Sequence, residues 1–264
     1  MREIRIALMT LVILFVSLPV VSAQNAPPVV RDSQALTVLQ RCVAAFGGLA
    51  AIQEIQDFKS TGSIIYTWTG APVTAPVTVV GKGLDSFRLD AIMPEGTRTL
   101  RFSGGMGSLT TEDGATNQLF YANLMNMGAL TFPSLRILSA LNTQTTSLTF
   151  VGQTIYAGGP VLQIHVSPII DSSIPPPSGT STFGAFDIFL DPNTYLAVAI
   201  SDSFWPDHTT QTLRHEIRFS GYSTVSGISI PKNIAEILNG QELWSMQLSS
   251  TTFNNNPQDS FFKP

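Results

Sequence analysis

From Phe58 onward, apolar and polar residues tend to alternate one by one. Ile64, Tyr66 and Trp68 interleave with Ile65, Thr67 and Thr69, and Phe87, Leu89 and Ala91 interleave with Arg88 and Asp90. A period of two puts successive side chains on opposite faces, so these stretches read as β-strands. Thr97 to Phe102 and Ser108 to Glu112 continue the series. The pattern resumes at Leu148 to Gln153, Val161 to Val166, Ala185 to Leu190, Tyr195 to Ser201, Thr212 to Phe219, Ile228 to Ile237 and Glu242 to Phe253. Gly81 to Gly83, Pro94 to Gly96, Gly158-Gly159 and Asn254 to Pro257 are turn signals, and the proline run within Ile174 to Thr180 is a loop.

Two segments depart from this period. Leu36, Leu39, Val43 and Phe46 recur at helical spacing, with Asp32 or Ser33 available as the N-cap and Gly47-Gly48 as the stop. Leu49, Ile52 and Ile55 suggest a second short helix. Between Leu119 and Leu141 the chain is apolar on more than one face, with Leu124, Met125, Met127, Leu130, Leu135, Leu138 and Leu141, and Pro133 suits the first turn of a helix. The pattern therefore predicts a mainly β (α+β) fold. One curved antiparallel sheet carries an N-terminal helix and a helical insertion.

Composition supports this picture. Charged residues make up 12% of the 264, against a usual share of about 25%. Thr, Ser, Asn and Gln supply the polar positions, which suits strands better than long solvated helices. The net charge is −4 and the chain has no Lys/Arg run, so nucleic acid and anionic membrane surfaces are not expected partners.

Residues 1–23 have the three parts of a secretory signal peptide. Arg2 and Arg5 precede the apolar stretch Ile6 to Leu18, Pro19 breaks it, and Val21-Ser22-Ala23 supplies the cleavage pattern. Residues 24–264 show no compositional break and are expected to form one exported domain, periplasmic or extracellular, with no transmembrane span after cleavage near Ala23. The one cysteine, Cys42, has no partner for an internal disulfide, and no Cys/His spacing suits zinc.

Motifs for catalysis are missing. No phosphate-binding loop, dinucleotide fingerprint or nucleophile elbow occurs. Ser229-Ile230-Pro231-Lys232 matches a Ser-x-x-Lys spacing, but Pro231 and the isoleucines place it on a strand, where Ser and Lys are not one helical turn apart. In Thr212 to Phe219, His215 falls on the apolar side with Leu213, Ile217 and Phe219. It reads either as a satisfied core histidine or as a polar contact inside a cavity. His165 falls on a more polar face and His208 sits near a turn, neither with a visible partner, and Asp187, Asp191, Asp202 and Asp207 read as solvated turn residues. Neither a cofactor nor a metal is expected. The aromatic residues read as core, or as the lining of a cavity where the sheet wraps incompletely. The candidate lining is Tyr66, Trp68, Phe87, Leu89, Ile217, Trp244 and Met246, together with His215. Leu124, Met125, Met127 and Leu138 would cover its mouth, since methionine repacks easily around varied apolar ligands.

The order of parts, and four stretches in particular, resemble the LolA/LolB-like lipoprotein-carrier superfamily. The stretches are Ala35 to Ile55 with its Phe46-Gly47-Gly48-Leu49, Asp187 to Ser201, Phe219 to Tyr222 with Val225 to Pro231, and Asn254 to Asn256 followed by Asp259 and Phe261-Phe262. The resemblance implies a half-open β-barrel with helices in its concave face, holding a hydrophobic small molecule or acyl chain, and it implies a carrier or sensor of the cell envelope rather than an enzyme. For the carriers' functional arginine, Arg88 and Arg101 are the candidates by position, and there is no anchor cysteine of the LolB kind. The alternatives are an envelope module that binds a protein partner without lipid, and a hydrolase using His215.

Overall fold

The computed structural model describes residues 28–67, 70–104, 106–119, 131–168, 184–204 and 213–264. Three helices come from the predicted segments. α1 (Ser33–Ala45) is capped by Asp32, which accepts the backbone N–H of Gln34 at 2.8 Å. It stops at Gly47 and Gly48, with φ of 123° and 93°, and α2 (Leu49–Gln53) follows. A side chain at Gly47 would place its Cβ 2.4 Å from the carbonyl oxygen of Gly227, so this corner requires glycine for space as well as for φ. α3 (Pro133–Asn142) begins on its proline, as its sequence predicts.

Six strands follow α2: β1 (Asp57–Tyr66), β2 (Val73–Lys82), β3 (Ser86–Met93), β4 (Gly96–Ser103), β5 (Met106–Thr110) and β6 (Thr116–Leu119). After α3 come β7 (Thr146–Tyr156), β8 (Gly159–Pro168), β9 (Phe186–Leu190), β10 (Ala197–Phe204) and β11 (Leu213–Ser220). A small hairpin, β12 (Ser223–Val225) and β13 (Ile228–Ile230), stands apart, and β14 (Asn233–Leu238) and β15 (Gln241–Phe253) complete the set.

Among the described residues, thirteen strands form one antiparallel sheet in the order β6-β5-β4-β3-β2-β1-β15-β14-β11-β10-β9-β8-β7. Each half is a run of sequential neighbours, and the two halves join where β15 pairs with β1. The edge strands β6 and β7 do not pair with each other. The sheet therefore curves into a half-open barrel rather than closing. A bulge in β15 opposite Thr61 and Gly62 switches the parity of its inward residues, so that Phe253 and Thr251 share a face with Met246 and Trp244. Glycine at position 62 permits this, because a Cβ there would stand 2.0 Å from the carbonyl oxygen of Gln247.

The three helices lie in the concave face and share one core with it. Leu39, Phe46, Ile52, Phe132 and Ile137 are fully or almost fully buried against Ile64, Phe87, Leu148, Ile164 and Ile188. Each such side chain removed from water contributes about 1.5–3 kcal/mol. Phe132, at the start of α3, stacks on Phe58 at 5.3 Å and meets Phe253 edge-on at 5.9 Å.

Arg31 and Asp32 fasten the arrangement from outside. The Arg31 guanidinium donates to the carbonyls of Leu141 (2.5 Å), Thr143 (2.8 Å) and Thr146 (3.0 Å), just where α3 ends and β7 begins. Asp32 accepts the N–H of Phe150, and the backbone at Val30 to Asp32 pairs with Leu148, covering the first half of the β7 edge.

Candidate functional site: the concave face and its charged end

Strand alternation directs Ile64 and Tyr66 of β1, Val77 and Val79 of β2, Phe87 and Leu89 of β3, and Ile217 and Phe219 of β11 into the concave face. Trp244 and Met246 of β15 join them, Trp244 standing opposite Tyr66 and Met246 opposite Ile64. The described candidates thus belong to one apolar surface. They are also well covered: Tyr66 is 6% exposed, Leu138 of α3 7%, and Trp244 8%. Trp68, Leu124, Met125 and Met127 lie outside the described residues, as do His208 and Asp207.

The apolar surface ends in charged groups where β1 and β10 finish and β11 starts. His215 donates from Nδ1 to Asp202 Oδ1 at 2.7 Å and from Nε2 to Glu236 Oε1 at 2.8 Å. The register explains the meeting, since Asp202 of β10 stands directly opposite His215, and Glu236 of β14 stands opposite Ile217, one step along the same face. Burial disfavours the imidazolium, but the two carboxylates outweigh it and raise the His215 pKa to about 10. With both nitrogens donating to carboxylates, the ring is an imidazolium at neutral pH and has no lone pair for a general base. The geometry therefore gives His215 the role of a three-strand tie.

Across the same end, Arg98 of β4 forms a bidentate pair with Glu112, Nε to Oε1 at 2.7 Å and Nη2 to Oε2 at 3.3 Å. These hydrogen bonds hold the Glu112 carboxyl below its ordinary pKa. The guanidinium lies 5.4 Å from the centre of the Tyr66 ring, and burial raises the Tyr66 phenol to about 12. Arg98 is the arginine of β3 and β4 that faces the concave side, because it stands opposite the buried Ala91. Arg88 and Arg101, chosen by position in the sequence, stand opposite each other on the outer face. There Arg88 pairs with Asp90 at 2.8 Å and lies over the ring of Phe261 in the C-terminal 3₁₀ turn, Asp259–Phe262.

Two further expectations are corrected. Asp187 and Asp202 are strand residues paired to histidines, not solvated turn residues, because strand pairing brings them beside His165 and His215. His165 has a partner, donating from Nδ1 to Asp187 Oδ1 at 3.0 Å, which raises its pKa. Asp191 is a turn residue as expected, its carboxylate accepting the N–H groups of Asn193 and Thr194. Cys42 is buried in α1, and desolvation pushes its thiol pKa well up, so it behaves as a small core residue.

Among the described residues, no group of three His, Cys, Asp or Glu side chains is arranged to hold a metal ion, and no helix is long and apolar enough to cross a membrane. What sequence reasoning missed is the pairing itself. Glu236, Arg98 and Glu112 each sit in an ordinary alternating strand or beside a turn, and only the register shows which carboxylate meets which cation.

No family model and no curated protein matches the chain. Solved structures do. An outer membrane lipoprotein-sorting protein domain from Vibrio parahaemolyticus, so named in its description, superposes with a TM-score of 0.52 at 13% identity, over 87% of this chain and 96% of that one. A LolA superfamily protein from Nitrosomonas europaea gives 0.52 at 12% identity, over 87% and 97%. A DUF1329 family protein from Desulfovibrio piger gives 0.52 at 9% identity, over 86% and 96%. Likeness at this identity is a likeness of architecture: an open antiparallel sheet with its helices in the concave face is the LolA/LolB-like fold, and this chain has it.

Proposed function

We propose that the mature chain is an exported carrier or sensor for a hydrophobic ligand, such as a lipid or the acyl chain of a lipoprotein. Residues 1–23 act as a cleaved leader in this reading, and residues 24–264 form one binding domain. The observation that carries it is the unclosed sheet. Its concave face is apolar from Phe87 on β3 to Ile188 on β9, and the described residues cover it with three helices of 13, 5 and 10 residues. The lipoprotein-sorting description of the Vibrio neighbour supports the same reading.

Because Leu138 and its neighbours already occupy the concave face, a ligand enters by displacing α3 from the sheet rather than by filling a ready void. Each ligand methylene that replaces this contact recovers about 0.8 kcal/mol of burial, so a long acyl chain offsets the displacement. The charged groups at Arg98, Glu112 and His215 would then meet the polar end of an amphiphile. Chemistry on the ligand is not part of the reading, since His215 is held as a cation.

Native mass spectrometry of the chain 24–264 purified from a periplasm, followed by lipid extraction, tests this. Co-purifying acyl lipid, reduced by Leu138→Asn at unchanged fold, is the expected result. A clean apo mass, with no uptake of added lipid or lipopeptide, would overturn the reading. Attention would then pass to a partner-binding module using the uncovered half of the β7 edge, where Val151 is 50% and Ile155 74% exposed.

A further inference from the structure

The outer face of the same sheet carries a cleft of about 800 Å³, well inside the usual range for ligand sites. Its floor is two cross-strand rows. Ser63, Gln247, Asn233 and Ser220 stand side by side on β1, β15, β14 and β11. Two residues along, Ile65, Ser245, Ala235 and Arg218 form the second row on the same four strands. One wall is the tip of the β7–β8 hairpin, with Tyr156 and Pro160, and the other is the β9–β10 turn.

Three features separate this cleft from an ordinary solvated sheet face. Strand hydroxyls nearby on this face pair with each other, as Thr61 does with Ser250 at 2.7 Å. Among the described residues, the first-row side chains of Ser63, Gln247, Asn233 and Ser220 make no hydrogen bond to another protein group, and the last three face solvent. They line up as hydroxyl, amide, amide, hydroxyl. The one cation of the lining is fixed: Arg218 Nη2 pairs at 3.1 Å with the buried Glu216, a carboxylate that Arg214 shares at 2.8 Å, and its Nε donates to the Tyr156 hydroxyl at 2.9 Å. Tyr156 is held in turn by Glu216 and by stacking on Phe189, 4.5 Å away. This wall is thus held in place by its own contacts.

We propose that this cleft is a binding site for a neutral oligosaccharide. An unpaired row of hydroxyls and amides offers both donors and acceptors, which is what vicinal sugar hydroxyls require. The second row, with Ile65 and Ala235, offers the apolar contact that the face of a pyranose ring needs. The row crosses four strands in three steps of about 4.8 Å, a spacing comparable with one sugar residue per step, so three residues span it. An anionic ligand fits less well, because the Arg218 guanidinium is already engaged by Glu216 and Tyr156. A peptide adding to the sheet is disfavoured because these strands are interior and their backbone groups are paired within the sheet.

The test is titration of the chain 24–264 with maltotriose, cellotriose and chitotriose, followed by heteronuclear NMR shifts and calorimetry. The expected result is saturable binding of at least one trisaccharide, with shifts centred on β1, β15 and β14. Gln247→Ala and Asn233→Ala should each weaken it about fivefold, the loss of one net hydrogen bond. Both positions are exposed, so unfolding midpoints should stay at the wild-type value and separate lost contact from lost fold. No saturable shift with any of the three, binding that ignores both substitutions, or binding only of an extended peptide would overturn the proposal. Acyl-lipid binding on the concave face would be unaffected in every case, so the two functional readings fail independently.

Discussion

β11 carries one polar cluster on each of its faces, and the two are built to opposite ends. On the concave side His215 donates both of its nitrogens to carboxylates, and the three side chains are only 14–23% exposed. On the convex side Arg214, Arg218 and Tyr156 surround Glu216, but Arg218 remains 42% exposed beside a row of solvent-facing hydroxyls and amides. The first cluster closes on itself and ties three strands at the end of the half-barrel. The second fixes a wall and leaves its neighbours open. The difference is one of burial: a charge shielded from water must find all its partners within the protein, whereas one at a cleft rim shares them with solvent or ligand.

The sharpest way to break the contrast is His215→Ala. It leaves Asp202 and Glu236 facing each other without a cation, and stability at pH 7 should fall by about 3 kcal/mol, read from urea unfolding. A loss below 1 kcal/mol would mean that the tie contributes nothing to the fold. The pH dependence tests the same site. The folded pKa of His215 is raised to about 10 from an ordinary value near 6.5. The folded state therefore holds the proton more tightly, and this stabilisation is complete below about pH 6.5 and is lost as pH rises through 10. Wild-type protein should lose stability between pH 7 and 10 more steeply than His215→Gln. Parallel profiles would rule out the bonded imidazolium.

Removal of the Arg31 side chain, as Arg31→Ala, frees three carbonyls at the join of α3 and β7. We expect a loss of about 2 kcal/mol, with hydrogen exchange accelerated in α3 before the rest of the core. On the convex side Tyr156→Phe deletes the hydroxyl shared by Glu216 and Arg218, and should cost only about 1 kcal/mol, because water replaces part of what is lost. The smallest effect belongs to the exposed pair His165–Asp187, with side chains 45% and 31% exposed. Asp187→Asn there should change stability by less than about 1 kcal/mol. A thermal-shift ranking of these variants in any other order would break the comparison.

The sequence was a good guide to elements and faces. The alternation of Phe87, Leu89 and Ala91 and the placement of His215 with Ile217 and Phe219 match the concave face, because strand periodicity is a local property of the backbone. It was a poor guide to partners. His165 showed no visible neighbour, and Asp202 read as a turn residue, because their meeting with Asp187 and His215 depends on register between strands. Arg88 and Arg101, candidates by position, stand on the outer face for a related reason. Rank along the chain carries no information on which face of β3 or β4 looks inward unless the strand's parity is followed residue by residue, and Arg98 shares the parity of Leu100 and Phe102.

By itself, then, the sequence determined the strand-rich class, the capped helix ending at Gly47 and Gly48, the helix that starts on Pro133, and which side chains turn from water. These follow from backbone preference and from the period of apolar residues. The resemblance implied an open sheet with helices in its hollow, but only the tertiary structure decided that β6 and β7 are the edges, that α3 packs on the concave face, and that polar residues from four strands line up along an outer cleft. Those outcomes rest on pairings between residues as much as about 200 positions apart, such as Phe58 with Phe253, and no local preference encodes them.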